Sequence, residues 1–385
     1  MKGLFWLSLL LIAYTYAGYP LIVALLAKFR PHPHLRKAWP QTTEKPISIV
    51  MAVHNGAGLL VGQIAHLLQL EPELVKEVVI VSDGSTDETN ALLEHAEDGR
   101  LRKIYLAEQA GKAAALNRGI ASATGEILVF IDIRPQVEAG ALASLLANFA
   151  DPQVGCVAGE LLLRTQGQDA TVAAVSGLYW KYEQWIRNCE ATWDSPVGVY
   201  GGFYAVRRAA AVTVPDGTIL DDMYQPLGII RQGYRSVLDR TAFVVDRWPA
   251  KAAGEFSRKV RTLAGNFQLI ALGPWMLTPA NRVVFQLVSH KLLRLVVPYF
   301  FVTLLVSSAA LGYWWFAGLQ AAFWALAAVS IKGKVPVLHR LGTPAGALLL
   351  LNAAAVMGLY TFLFTRGPLW KIWSPTPAVR GEAGA

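Results

Sequence analysis

The chain has 385 residues, of which 54% are hydrophobic and only 16% are charged. This composition is too apolar for an ordinary soluble protein, and the length allows one sizeable globular domain together with membrane helices. The formal net charge of +8 lies mainly beside apolar segments, which favours anionic lipid headgroups over nucleic acid as a partner. Cys156 and Cys189 lack the spacing of metal ligands and are predicted to be reduced thiols.

Long uncharged segments stand at both ends of the sequence. They cover residues 3–27, 295–331 and 341–365, and about 20 helical residues cross a hydrocarbon core. The first is predicted to be a retained membrane anchor, with a secretory signal ending near Ala17 as the alternative. The second is short for two complete crossings and a turn. We therefore expect one N-terminal crossing and up to three C-terminal ones.

Basic residues follow the first segment, namely Lys28, Arg30, Arg36 and Lys37. Positive charge marks the cytoplasmic side of a membrane helix. This pattern predicts a multi-pass protein of a bacterial-type inner membrane with its central region in the cytoplasm. The basic residues around positions 332–340 and 366–380 both favour the cytoplasm, which leaves the side of the C-terminus open.

Between Pro46 and about residue 250, short apolar runs alternate with helical patterns. The predicted strands are residues 47–53, 77–81, 102–106 and 127–131, and the predicted helices lie near residues 57–69, 87–96 and 111–122. Such alternation predicts an α/β domain with a mostly parallel sheet. Ligands of these sheets bind beyond the carboxyl ends of the strands.

Polar residues follow three of the predicted strands. Asn55 follows the first strand, Asp83 the second, and Asp132 with Arg134 the fourth. A carboxylate at the end of an apolar strand needs a partner or a cleft, which favours a functional role for Asp132. Asp83 and the nearby Asp87 have a second interpretation as turn and helix-cap residues.

Lys112 opens a predicted helix, where it is suited to meet a phosphate. The surrounding residues lack the first glycine and the Ser/Thr of a nucleotide-binding P-loop, which excludes an ATPase of that kind. Asp221 and Asp222 precede another predicted helix. Adjacent carboxylates raise each other's proton affinity, which suits a general base, although N-terminal helix caps have the same pattern.

Two further patterns concern the second half of the domain. An aromatic cluster that includes Trp180 precedes the pair Gly201-Gly202. Such rings either pack a core or form a platform for a sugar, and paired glycines let a bulky ligand approach the backbone. Residues 255–276 carry an apolar stripe at helical spacing with Arg258 and Arg261 off the stripe, which predicts an amphipathic helix against protein or membrane.

Seven short motifs occur in one order: SIVMAVHNG, VIVSDGSTDET, GKAAALNRG, FIDIR, YGGFYAVRR, ILDDMYQ and RKVRT. Together they resemble the membrane-embedded family-2 glycosyltransferases, the group that contains cellulose, hyaluronan and poly-N-acetylglucosamine synthases. The resemblance covers about residues 45–275. It implies a Rossmann-like GT-A fold and an inverting transfer from a nucleotide sugar, expected to be UDP-linked, to a glycan or a lipid-linked acceptor. The expected role is in extracellular or cell-envelope polysaccharide synthesis.

The resemblance also implies roles for individual residues. Asp83 would hold the nucleotide base, Lys112 would lie near the diphosphate, and Asp132 matches the first acid of the DxD motif. Asp222 matches the acid that removes the acceptor proton, with Asp221 where Glu is usual. Arg261 matches the arginine of QxxRW, while Arg258 and Thr262 stand where that motif has Gln and Trp.

Two departures from the family pattern leave alternatives open. Arg134 stands where DxD has its second acid, so either Arg134 takes the place of the metal, or Asp132 and another carboxylate hold Mg²⁺ or Mn²⁺ while Arg134 binds phosphate. We expect the metal to be retained. The missing Trp of QxxRW leaves chain elongation and single transfer both open. A degenerate, non-catalytic glycan-binding or assembly subunit is the alternative from a different class.

The predicted domain order is an anchor at residues 1–28, a transferase domain at 45–250, interface helices at 251–290, membrane helices at 291–366 and a basic tail at 367–385. Four crossings are few for a pore within one chain. A homo-oligomer or an export partner is therefore among the expected partners.

Overall fold

A computed structural model of the chain describes residues 1–40, 45–164, 170–247, 252–332 and 336–373. The chain divides into two compact units, each built from separate stretches of sequence. The helical unit contains residues Met1–Pro33, Arg164–Val197 and Arg247–Phe364. The sheet unit contains residues His34–Leu163, Gly198–Asp246 and Thr365–Ala385.

The sheet unit contains an eight-stranded sheet in its described part, with the order β3-β2-β1-β4-β7-β6-β8-β5. The strands are β1 (Ile47–Val53), β2 (Val75–Asp83), β3 (Leu101–Leu106), β4 (Ile127–Ile131), β5 (Gln136–Val137), β6 (Val154–Arg164), β7 (Phe203–Arg207) and β8 (Arg235–Arg247). β1 and β4 have the predicted bounds, and β3 begins one residue earlier than predicted. β2 begins two residues earlier and ends two residues later, so Asp83 is the last residue of β2 and does not follow it. The prediction from alternating apolar runs is thus confirmed for all four strands.

The sheet is mixed. β1 pairs in parallel with both β2 and β4, and β2 pairs in parallel with β3. β7 runs antiparallel to β4 and β6, and β5 runs antiparallel to β8. β1 and β4 are almost wholly buried on both faces, whereas β3 at the edge of the sheet is partly exposed. The carboxyl ends of the parallel strands lie together at one edge of the domain.

The helices of the chain, in sequence order, are α1 (Lys2–Ala13), α2 (Tyr19–Phe29), α3 (Ala57–Gln69), α4 (Thr89–His95), α5 (Lys112–Ser122), α6 (Ala141–Ala147), α7 (Ala170–Trp193), α8 (Asp221–Arg231), α9 (Ala252–Leu272), α10 (Val284–Gln286), α11 (Leu293–Ala310), α12 (Trp314–Lys332) and α13 (Pro336–Phe364). α5 lies directly on the parallel strands. A Cβ at Gly119 of α5 would stand 2.4 Å from a methyl of Val50, so glycine lets this helix approach β1 closely. That packing sets the position of Lys112, the first residue of α5.

Four helical segments among the described residues are long and apolar enough to cross a membrane. They are Lys2–Phe29, Val284–Ala310, Trp314–Ile331 and Pro344–Phe364. The uncharged run at residues 295–331 contributes to two of these segments, Val284–Ala310 and Trp314–Ile331. There is room for both because the segment Val284–Ala310 begins before the run starts. The number of candidate segments, one N-terminal and three C-terminal, agrees with the expected number of crossings.

The apolar stripe of α9 packs on protein within the helical unit. Phe267 stacks on Phe362 of α13 with ring centroids 6.0 Å apart. A Cβ at Gly358 of α13 would stand 2.9 Å from the backbone nitrogen of Ala264, so the two helices are in close contact. Arg258 lies off this contact and is exposed. The predicted amphipathic helix is therefore present, and its apolar face is covered by α13.

A buried ionic cluster joins α7 to the start of α11. Glu183 accepts hydrogen bonds from His290, Lys291 and Arg294, the last at 2.7 Å. Glu190 accepts from Tyr19 Oη at 2.5 Å and lies 2.8 Å from Nδ1 of His290. The chain is π-helical at Leu287–Leu292, the stretch that carries His290 and Lys291. Each acid of α7 thus has partners within the helical unit.

Candidate active site

Lys112 is the centre of the polar site at the edge of the sheet. Its Nζ lies 2.9 Å from Oδ1 of Asp132 and 3.5 Å from Oδ2 of Asp221, and it donates to the carbonyl of Gly201 at 3.3 Å. α5 supplies the lysine, the end of β4 supplies Asp132, and the first turn of α8 supplies Asp221. Three separate parts of the sequence therefore converge on one ammonium group.

The carboxylates keep Lys112 in its charged form. Burial by itself would lower the pKa of Lys112, but the charges of Asp132 and Asp221 raise that pKa above its ordinary value. The side chain remains 31% exposed. A positive charge at this point is thus permanent at physiological pH and accessible to a ligand.

Asp222 lies beside Gly201 at the start of α8. A Cβ at Gly201 would stand 2.9 Å from Cβ and 3.1 Å from Oδ2 of Asp222. The backbone carbonyl of Asp222 also accepts a hydrogen bond from Val199 at 3.0 Å, which joins α8 to the segment before β7. Glycine at position 201 therefore lets the Asp222 side chain lie close against the backbone, where any larger residue would clash with it.

Gly202 has a different role from its neighbour. Its carbonyl accepts a hydrogen bond from the backbone N–H of Asp132 at 3.3 Å. A Cβ at Gly202 would stand 2.7 Å from the ring of Tyr200. These contacts bring the segment before β7 close to the end of β4. The expected approach of a ligand to Gly201 and Gly202 stays a prediction.

Asp83 holds the turn that precedes α5. Its side chain is buried at the end of β2, and its two oxygens accept hydrogen bonds from the backbone N–H groups of Ala110 at 2.7 Å and Gly111 at 2.9 Å. Each oxygen retains a second lone pair. The contacts show Asp83 fixing the approach to Lys112, and its expected contact with a nucleotide base stays a prediction.

Asn55 holds the loop that follows β2. It lies in the left-handed backbone region with φ of +50°, which Asn tolerates better than most residues. Its Oδ1 accepts from the N–H of Thr86 at 2.8 Å. Asp87 bonds to the backbone N–H groups of Thr89 and Ala57, so its interpretation as a helix-cap residue fits these contacts.

Arg134 has an ionic partner that the sequence reasoning did not include. Its Nη2 lies 3.5 Å from Oδ2 of Asp246, near the end of β8, and the Arg134 side chain is 52% exposed. Burial first, and then the charges of Asp132 and Asp246, raise the pKa of the nearby Tyr200 hydroxyl. Asp246 ends the apolar run AFVVD, so the strand-end reasoning that found Asp132 was sufficient to find it.

Three of the predicted site residues belong to the helical unit. Trp180 is a partly exposed residue of α7, and Arg258 and Arg261 lie in α9. The carbonyl of Arg258 accepts a hydrogen bond from Thr262 Oγ1 at 3.0 Å, within the helix. Their expected roles at a sugar and at a diphosphate stay predictions.

Asp132 is the only matched metal ligand, and one of its oxygens is already bonded to Lys112. Among the described residues, no three His, Cys, Asp or Glu side chains are grouped so as to hold a metal ion. Mg²⁺ is commonly held by one or two carboxylates together with substrate phosphates and water. The half-exposed Asp132 therefore fits a cation that binds together with a phosphate-bearing substrate.

Comparison with known proteins identifies the domain around this site. A family model described as "Glycosyl transferase family 2" matches residues 48–213, the stretch that supplies Asp83, Lys112 and Asp132. Residues 48–213 are thus similar to a family 2 glycosyltransferase domain. This confirms the expected family and the expected enzyme class.

Curated relatives share a part of their length with the chain. A poly-beta-1,6-N-acetyl-D-glucosamine synthase of Staphylococcus aureus is 26% identical over 235 residues, which cover 58% of this chain and 55% of that protein. The glycosyltransferase GlyG of Streptococcus pneumoniae is 28% identical over 115 residues, which cover 29% of this chain and 38% of GlyG. The chain thus spans about half the length of the synthase.

A solved structure shares the fold. The mannosyltransferase PcManGT from Pyrobaculum calidifontis, in complex with GDP-Man and Mn²⁺, superimposes with a TM-score of 0.65 at 23% identity and covers 93% of this chain and 99% of that one. The likeness confirms the expected GT-A type of sheet domain, with the mixed strand order described above.

Proposed function

We propose that the chain transfers a sugar, with inversion, from a nucleotide sugar to an acceptor hydroxyl at the cytoplasmic face of a membrane. The observation that carries this proposal is the position of Lys112, whose ammonium group lies between Asp132 and Asp221. It also lies next to Gly201, which packs against the side chain of Asp222. A fixed cation beside the Asp222 carboxylate suits a reaction in which an anion leaves while a proton is taken up.

The proposed base is Asp222. The acceptor oxygen forms a bond to the anomeric carbon, the bond from that carbon to the diphosphate oxygen breaks, and the hydroxyl proton passes to the Asp222 carboxylate. The electron pair of the broken bond remains on the nucleoside diphosphate. Gly201 supports this role because its lack of a side chain lets Asp222 lie close to the Gly201 backbone, whose carbonyl accepts a hydrogen bond from Lys112.

The charge of the leaving diphosphate requires fixed cations. Lys112 is oriented by two carboxylates before any substrate binds, and Arg134 has a guanidinium group that can pair with two phosphate oxygens. A divalent cation, such as the Mn²⁺ that accompanies GDP-Man in the Pyrobaculum structure, would be held by Asp132 and the phosphates and would supply further positive charge there.

The proposed acceptor is a glycan or a lipid-linked sugar, and the proposed setting is polysaccharide synthesis at an inner membrane. The name of the Staphylococcus aureus relative supports a polymer. The name of the Pyrobaculum protein, a mannosyltransferase, supports transfer of a hexose. Single transfer to a lipid-linked acceptor is the second candidate within this class, and product length distinguishes the two.

The test is release of nucleoside diphosphate by detergent-purified protein across a panel of UDP- and GDP-sugars, with and without membrane lipid extract as a source of acceptor. Wild-type protein should release diphosphate from one donor. Asp222→Asn should lower the rate by roughly 10²- to 10⁴-fold, as expected for loss of a general base. Glu97→Gln, a change of an exposed acid between α4 and β3, serves as the matched control.

Two results would contradict the proposal. Wild-type protein that releases no diphosphate from any donor would indicate a non-catalytic glycan-binding or assembly subunit. Asp222→Asn protein with the wild-type rate would show that another group takes the proton.

A further inference from the structure

A tryptophan near the end of the described chain lies on two glycines of the sheet unit. Trp370 belongs to the 3₁₀ helix Leu369–Trp373. A Cβ at Gly111 would stand 3.1 Å from Cε2 of its indole, and a Cβ at Gly217 would stand 3.3 Å from Cδ1. The two glycines have φ of +94° and +76°, a region that favours glycine. The ring therefore contacts two turns that only glycine fits well.

These two turns lead directly to the charged groups of the site. Gly111 immediately precedes Lys112, and its N–H is bonded to the buried Asp83. Gly217 lies in the turn Pro215–Thr218, which precedes Asp221 and Asp222. One indole ring thus touches the turn that starts α5 and the turn that leads to α8.

The ring is also held by its own segment. Leu369 is buried, with 9% of its surface exposed. The ammonium group of Lys371 lies 5.5 Å from the centroid of the Trp370 ring, within the range of a cation–π contact. Ile372, in the same 3₁₀ helix, is 47% exposed. The segment thus places one aromatic residue against the site and another apolar residue in solvent.

We infer that Trp370 is a positioning residue of the transferase site, which acts by holding the Gly111 and Gly217 turns at a fixed separation. The inference rests on the proposed function. Lys112 follows Gly111 without an intervening residue, so a shift of this turn moves the ammonium group relative to Asp132 and Asp221. A misplacement of about 1 Å at a catalytic group costs up to about 10²-fold in rate.

The first test compares Trp370→Ala, Trp370→Phe and Ile372→Ala, with kcat and KM measured for the donor that wild-type protein uses. Trp370→Ala should lower kcat by roughly 10- to 100-fold. Trp370→Phe should recover a large part of the rate, because a phenyl ring can cover both glycines. Ile372→Ala should match the wild type, and thermal unfolding in detergent should show that all the variants are folded.

A double-mutant cycle then asks whether Trp370 acts through Lys112. The dissociation constants of UDP and GDP are measured for wild type, Trp370→Ala, Lys112→Gln and the double variant, so the readout does not depend on turnover. Loss of Trp370 should weaken binding of the preferred nucleotide in the wild-type background and have little further effect in Lys112→Gln, because coupled residues are non-additive. Equal weakening in both backgrounds would overturn the inference.

The two proposals fail in different ways. A wild-type protein without turnover would overturn the proposed function. An active wild type with an unchanged Trp370→Ala variant would overturn the positioning role of Trp370 and leave the proposed function standing.

Discussion

Arg134 and Lys112 differ in the ionic contacts that hold their side chains, and this difference determines how each would respond to a bound donor. Lys112 lies between two carboxylates at 2.9 and 3.5 Å. Within the part of the chain that the structure describes, Arg134 pairs with Asp246 at 3.5 Å, and half of the Arg134 side chain is exposed. An incoming phosphate therefore displaces fewer contacts at Arg134 than at Lys112. We expect Arg134 to change partner on donor binding and Lys112 to stay close to its carboxylates.

Substitution of Arg134 tests this difference. Arg134→Ala should lower kcat/KM for the donor by roughly tenfold or more, because the transition-state charge loses a cation. Arg134→Lys should recover only part of the rate, since a lysine lacks the bidentate fork of a guanidinium group. Arg231→Ala, at an exposed position of α8, is the matched control. Equal activity of all three variants would show that Arg134 does not meet the phosphates.

Metal removal distinguishes the contribution of Arg134 to catalysis from that of a bound divalent cation. We expect EDTA to lower diphosphate release by on the order of 10²-fold, and excess Mn²⁺ or Mg²⁺ to restore it, because Lys112 and Arg134 alone leave much of the diphosphate charge uncompensated. Undiminished release in EDTA, together with collapse in Arg134→Asp, would show that the guanidinium group takes the place of the metal.

Sequence reasoning singled out Asp83 and Asp132 at predicted strand ends and Lys112 at the start of a predicted helix, and the structure brings Asp132 and Lys112 into contact. Their roles at a substrate stay predictions. Asp246 was missed because β8 was not among the predicted strands. The pairing of Asp83 with two backbone N–H groups was also beyond sequence reasoning, since it depends on how the Ala110 turn folds back over β2.

The carboxylate of Glu77 connects β2 to β1 and to the segment before β4 through hydrogen bonds. Its carboxylate, on β2, accepts hydrogen bonds from Ser48 of β1 at 2.7 Å and from the N–H and hydroxyl of Thr124 at 2.6 and 2.8 Å. Burial by itself would raise the pKa of Glu77, but the hydrogen bonds from Ser48 and Thr124, helped by the charge of Arg102, lower that pKa below its ordinary value. The ionised form is thus part of the folded structure.

Glu77→Gln should therefore destabilise the sheet unit, by about 1–3 kcal/mol at pH 7 if the buried donors lose their acceptor. A lowered folded-state pKa gives stability that is present above the ordinary value of 4.5 and is lost as pH falls through the folded-state value. The difference in thermal unfolding midpoint between wild type and Glu77→Gln should be largest at pH 7 and should become smaller below pH 4.5. Glu126→Gln, with a side chain 61% exposed, should behave like wild type.

Elements were predictable where local pattern and tertiary packing agree. β1 and β4 are continuous apolar runs, and their predicted bounds are those observed. The π-helical stretches Tyr14–Gly18 and Leu287–Leu292 have no comparable signal in the sequence. Their side chains meet in a hydrogen bond of 2.8 Å between Tyr14 and Ser289, a contact between residues far apart in the chain. Such irregularities follow from packing and not from residue preference.

The whole chain is expected to behave as an integral membrane protein. Four apolar segments of 18–28 residues, with mean hydropathy of 1.4–2.0, are available to cross a bilayer. The protein should remain in the membrane pellet in alkaline carbonate and high salt, and it should be extracted only by detergent. Release by high salt alone would show that basic residues hold a peripheral protein to lipid headgroups.

The division of the chain was less predictable than its elements. A linear order of anchor, transferase domain and membrane helices was expected, whereas each compact unit combines distant segments. α7 belongs to the helical unit although the sequence on both sides of it belongs to the sheet unit. Its partners in the ionic cluster come about a hundred residues later, and no local pattern in α7 identifies them.

The ionic cluster has a consequence for how the protein is made. Lys291 and Arg294 stand near the start of a candidate crossing, where an uncompensated charge costs up to a few kcal/mol in hydrocarbon. Their acid, Glu183, lies earlier in the chain and leaves the ribosome first. A nascent chain therefore holds its counter-ion ready before the cationic segment reaches the insertion machinery. Synthesis in this order makes Glu183 available to pair with Lys291 and Arg294 when their segment is inserted into the membrane.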